Sequence, residues 1–223
     1  MFRLNDLPQV TKNILLLNIM FFVVKFFLET QNNIFMYNLG LYYFTNPNFE
    51  PFQFVTYFFL HDDSLHLVFT VVALMFFGAP LEKVWGPQRF FIFYISCAIG
   101  AALLNQLAIF VELSFLVGQS LAFEEILKPL MIISIPVFGA TGAIFGLLAA
   151  FVYLFPNTEI NLFFFPIHVK AKHFIIVFAG LELYRAFHES IYLFIANYIH
   201  LGGALIGFVL VLFWKKTDQK NFY

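Results

Sequence analysis

The sequence predicts an all-α membrane protein, a bundle of six transmembrane helices forming one domain over residues 1–223. Three observations carry this expectation. The chain is 61% hydrophobic, 21% aromatic and only 11% charged, whereas soluble chains average about 45–50% apolar and about 25% charged residues. Too few charges remain to solvate a globular surface. The apolar residues also gather into stretches of the length that helices need to cross about 30 Å of hydrocarbon. Finally, Lys and Arg concentrate in alternate connections, as topology in a membrane demands.

The first span covers residues 13–28. Lys25, Phe26 and Phe27 stand near its end where a secretory signal would show a small-residue cleavage site, so it is read as a retained helix. Residues 29–54 mix Asn46, Pro47 and Asn48 with Tyr37, Tyr42, Tyr43, Phe49 and Phe52. Such a polar and aromatic stretch suits a loop at headgroup depth. Span two covers 64–81, and a charged turn with Gly86-Pro87 follows over 82–89. Span three covers 90–111, and a connection over 112–138 carries Glu124, Glu125, Lys128 and two prolines. Span four, 141–155, is shorter than the about 20 residues of a full crossing, which places its start inside the membrane. Spans five and six cover 173–187 and 197–214.

Charge placement sets the orientation. With both termini cytoplasmic, Arg3, Lys12, Lys83, Arg89, Lys170, Lys172, Lys215, Lys216 and Lys220 all fall inside, nine of the twelve basic residues. The expected location is therefore an integral, multi-pass position in the lipid bilayer. A net charge of −1 without a basic run excludes nucleic acid as a partner. Cys97 is the sole cysteine, which rules out an intramolecular disulfide and a multi-cysteine metal site. No internal repeat suggests a transporter of paired halves.

Two helix starts hold the candidate chemistry. Span four opens Gly139-Ala140-Thr141-Gly142 and continues to Phe145-Gly146, and span six opens His200-Leu201-Gly202-Gly203 and continues to Gly207. Gly142 with Gly146, and Gly203 with Gly207, strip one face of each helix so that two backbones can approach closely in lipid. Such packing would bring the hydroxyl of Thr141 and the imidazole of His200 to a common depth, a nucleophile and its general base. Plain packing glycines and a helix-capping threonine are the alternatives. An imidazole inside a span is costly and calls for a polar cavity or partner. In span two, His66 and Thr70 share a face and offer donors to a developing oxyanion, or else an interhelical hydrogen bond. His61 and His66 are five apart, with no carboxylate on a shared face, so no metal site is expected.

In combination these residues resemble the rhomboid family of intramembrane proteases over about residues 40–214. The resemblance rests on the His66 helix with Gly78 and Glu82, the Gly139-Ala140-Thr141-Gly142 turn, and the run from His200 to Ala204 with Gly207. The approach to span two, Phe49-Glu50-Pro51-Phe52-Gln53, is also similar. It implies a serine-type endopeptidase without a cofactor, acting on transmembrane-helix substrates. The nucleophile position falls on Thr141, where the family carries serine, and the base on His200. The oxyanion positions fall on backbone N–H groups from Gly139 onward, on His66, and on Thr70, where the family carries asparagine. Phe145 stands where many members stack a tyrosine on the catalytic histidine.

The two threonines leave two readings open. Thr141 keeps a hydroxyl, but its β-methyl restricts χ1 and crowds an attack that needs approach within about 3–3.5 Å. Thr70 offers one donor where an amide offers two. One reading is a weakened peptidase; the other is a noncatalytic pseudoprotease that binds transmembrane clients.

Overall fold

The computed structural model describes residues 6–28, 34–116, 131–161, 168–173 and 191–217, together with positions 176, 177, 180 and 184. The expected fifth span, 173–187, lies largely outside the described residues. Helix α1 runs Gln9–Leu28, and two short helices, α2 (Ile34–Leu39) and α3 (Gln53–Thr56), belong to the loop that follows it. The second span is α4 (Ser64–Ala73), a π-helical stretch Leu74–Gly78, and α5 (Ala79–Trp85). The third is α6 (Pro87–Leu116). Then come α7 (Thr141–Leu154), the antiparallel strands β1 (Glu159–Asn161) and β2 (His168–Lys170), and α8 (Ile191–Thr217). The small ribbon β1–β2 pairs Glu159 with Lys170, in a connection where no strand was expected.

Among the described residues, four helical stretches are long and apolar enough to cross a membrane: Gln9–Leu28, Ser64–Trp85, Pro87–Phe115 and Tyr198–Thr217. Their outward faces carry exposed Phe26, Leu65, Val68, Leu103, Leu107 and Phe213, as lipid-facing surfaces do. Helix α7 differs. Its 14 residues rise only about 21 Å, and Gly142 to Leu148 are all buried. Protein surrounds it, so irregular backbone at its start can lie at membrane depth without exposing polar groups to lipid.

The turn expected at 82–89 is confined to one residue. Helix α5 continues to Trp85, Gly86 breaks it with a φ of 80°, and α6 begins at Pro87. The physical reason is Glu82, which is buried rather than solvated. Its carboxylate accepts from the backbone N–H groups of Val10 at 2.9 Å and Thr11 at 2.7 Å, and from the Thr11 hydroxyl at 2.7 Å. An anion thus caps the positive end of α1 and satisfies N–H groups that no helical carbonyl can reach. The π-helical stretch just before α5 has its own cause in Pro80, which cannot donate within a regular helix. There the N–H of Ala79 reaches back to the carbonyl of Leu74.

The centre of the bundle is a seam between α6, α7 and α8. A Cβ added to Gly207 would lie 2.6 Å from the Cα and carbonyl oxygen of Gly146, and one added to Gly203 would lie 2.6 Å from the carbonyl carbon of Gly142. Only glycine permits this backbone-on-backbone approach. Helix α6 closes the third side, with Ala101 and Cys97 filling the space beside Gly142 and Gly146.

The loop between α1 and the second span is tied down by buried amides. Gln53 accepts from the N–H of Tyr42 at 3.3 Å and donates to the carbonyl of Asn48 at 2.8 Å. Gln106 of α6 accepts from the N–H of Phe44 at 3.1 Å and donates to the carbonyl of Tyr42 at 2.9 Å. Leu41 and Val137 exchange backbone hydrogen bonds of 3.0 and 2.8 Å. Through that bridge the loop holds the chain that enters α7.

Candidate active site

The entrance to α7 is a backbone turn fixed from two sides. Gly139 has a φ of 112°, a region that side chains avoid, and its N–H donates to the carbonyl of Tyr57 at 2.9 Å. Tyr57 is itself fully buried and donates its hydroxyl to the carbonyl of Ala98 at 2.6 Å. A second constraint makes glycine obligatory at this position. The His66 ring lies where a Cβ would stand, with Cε1 at 2.5 Å and Nε2 at 2.7 Å. Thr141 follows as the first residue of α7, and no side chain caps that helix end. Its first N–H groups have no carbonyl one turn back, so they offer donors and a positive dipole end beside His66.

The glycine seam places the start of α7 against α8. A Cβ on Gly142 would lie 3.0 Å from Cγ2 of Ile199, the residue before His200. Phe145, one turn beyond Thr141 on the same face of α7, stacks on the His200 ring with centroids 4.3 Å apart and planes 7° from parallel. Phe145 thus meets His200 across the α7–α8 seam one turn beyond Thr141, and His66 reaches the Gly139 turn from the second span.

Thr70 occupies a different setting from the one its sequence position suggests. It is fully buried, and its hydroxyl lies 3.0 Å from Nε2 of His61. His61, which the sequence brings in only when a metal site is weighed, is equally buried and packs edge-on against His66 with ring centroids 4.9 Å apart. Burial first, then the neighbouring His66, pushes the His61 imidazole down to about 4. It is neutral at ordinary pH. Asp63 caps α4, accepting from the N–H of His66 at 2.8 Å, and that bond holds its carboxyl below the usual carboxylate range. Nε2 of His66 is buried with no hydrogen-bond partner among the described residues. In the tautomer protonated at Nε2, a ring nitrogen left open at the mouth of an uncapped helix end is suited to donate to an oxygen that arrives with a substrate. Among the described residues no three His, Cys, Asp or Glu side chains are grouped to hold a metal ion.

A helix bundle of membrane spans, with polar side chains set around the buried start of the short helix α7, defines an integral multi-pass membrane protein. The chain belongs to the rhomboid family. Residues 48–216 match that family, described as Rhomboid domain. The chain is 30% identical over 164 residues to Rhomboid protein 1, mitochondrial, of Saccharomyces cerevisiae, covering 73% of this chain and 42% of that protein. It is 28% identical over 172 residues to Rhomboid protease AarA of Providencia stuartii, covering 72% of this chain and 55% of that protein. The chain thus spans about half the length of these curated relatives.

Proposed function

We propose that the protein is an intramembrane endopeptidase that cleaves transmembrane-helix substrates through an acyl-enzyme, with Thr141 as nucleophile and His200 as general base. The observation that carries this reading is the stack of Phe145 on His200 beside the Gly142–Gly203 contact, which supports a hydroxyl and an imidazole working at one level. In the proposed reaction His200 takes the proton of Thr141 as its hydroxyl attacks the peptide carbonyl carbon. The oxyanion is held by N–H groups at the start of α7 and by His66. Collapse expels the amine with the proton from His200, and water then hydrolyses the ester with His200 again as base. Both termini would face the cytoplasm, given the distribution of basic residues.

One specific observation favours a second reading, a noncatalytic protein that binds transmembrane clients. The hydroxyl of Thr70 is engaged with His61, which weakens the case for it as an oxyanion donor. Loss of one such donor costs about 10²–10³ in rate.

Cleavage of a helix-destabilised transmembrane substrate by purified wild type, Thr141→Ser, Thr141→Ala and His200→Ala separates the two. The peptidase reading expects the serine variant to exceed wild type by about tenfold through relief of the β-methyl, and both alanine variants to fall to background, since nucleophile and base act as a unit. Cleavage surviving in Thr141→Ala would remove Thr141 as nucleophile. Silence of both wild type and the serine variant would favour the client-binding reading.

A further inference from the structure

We infer that Lys25 of α1 is a positioning residue for the site, holding the His61–Asp62 backbone so that the His61 ring backs the His66 ring, which is set against the Gly139 turn. The inference rests on the peptidase reading and adds a residue from a helix that contributes no other side chain to the site.

Lys25 lies near the end of an apolar helix, where a lysine would ordinarily extend its ammonium to water. It does the opposite. The residue is only 7% exposed, and Nζ donates to the carbonyl of His61 at 3.0 Å and to that of Asp62. Burying an ammonium in a membrane protein is expensive and marks a residue with a task. The two carbonyls belong to consecutive residues immediately before the Asp63 cap of α4, so this short stretch is gripped from both ends. What it carries is the histidine pair. The His61 ring bonds Thr70 at 3.0 Å and packs on His66 at 4.9 Å, and His66 fills the space over Gly139. If the stretch shifts, the His66 ring shifts with it, and a misplacement of about 1 Å can cost about 10² in rate.

The test uses whichever of wild type and Thr141→Ser cleaves faster, at a temperature below the unfolding of every variant. Lys25→Met should lower kcat by about tenfold with KM within about twofold, and Lys25→Arg, which keeps a charged donor, should stay within about threefold of the parent. A lysine that merely stabilises the bundle would lower the melting temperature and leave kcat alone, and an unchanged kcat in Lys25→Met overturns the inference. A second readout is independent of cleavage: hydrogen exchange at the amides of His66 and Gly139. Faster exchange at both in Lys25→Met supports the positioning role; unchanged exchange at both overturns it. If wild type and Thr141→Ser are both silent, the peptidase reading fails by itself, and the exchange measurement alone decides whether Lys25 holds the pair in place.

Discussion

Adding one methyl group at the α7–α8 seam should part the two helices and disable the site together. In Gly207→Ala the new Cβ would lie 2.6 Å from the Cα and carbonyl oxygen of Gly146, against ordinary contact that begins at 3.4 Å. The helices must therefore separate by about 0.8 Å, enough to forfeit a quarter to a half of the dispersion energy of atoms across the gap. Gly203→Ala is worse, because its Cβ would fall on the carbonyl group of Gly142, and neither obstacle is a side chain that can rotate away. Overpacking of this kind costs about 1–3 kcal/mol, and both variants should lose at least that much in reversible unfolding from mixed micelles. Gly78→Ala is the control. There the Cβ would meet only side-chain ends, Cζ of Phe90 at 3.2 Å and Cδ1 of Leu147 at 3.5 Å, which can give by a few tenths of an ångström, and the loss should stay below about 1 kcal/mol. His200 precedes Gly203 by three residues and Thr141 adjoins Gly142, so parting the seam should also lower cleavage by about 10². Wild-type stability in Gly203→Ala would refute the backbone contact on which the site geometry depends.

Two further outcomes follow from buried polar groups. Glu82→Gln keeps the shape of the side chain but replaces one acceptor oxygen with an amide that faces the N–H groups of α1, and it should destabilise the fold by about 1.5–3 kcal/mol in the same unfolding assay, with an intact stability refuting the cap. His61 titrates at about 4 when folded and at about 6.5 when unfolded, so below pH 6.5 the unfolded chain binds a proton that the folded one refuses. Its contribution is fully present above pH 6.5 and is lost as pH falls to about 4, by up to about 3 kcal/mol. An acid-side stability curve unchanged by His61→Gln would contradict this assignment.

The sequence by itself determined the membrane class and the order of those spans that fall among the described residues, because hydropathy is a property of consecutive residues and a helix in lipid satisfies its own backbone. It also determined the glycine pairs and the candidate residues at the start of α7 and within α8, since the spacing of small residues on a helix face is fixed by the helical repeat; the helix that carries His200 begins earlier than expected, at Ile191. Element ends were less legible. Glu82 reads as a turn residue by its charge, and only its burial against Val10 and Thr11 explains why the helix runs on to Trp85. The partner of Thr70 was likewise hidden. Its spacing from His66 suggested a shared role, yet it is His61, nine residues earlier, that reaches its hydroxyl. A contact across a bend depends on where the chain is pinned, and here a lysine from α1 grips the intervening carbonyls. Tertiary structure decided these points because the groups that settle them come from segments distant in sequence, and a buried charge goes wherever the fold offers it acceptors.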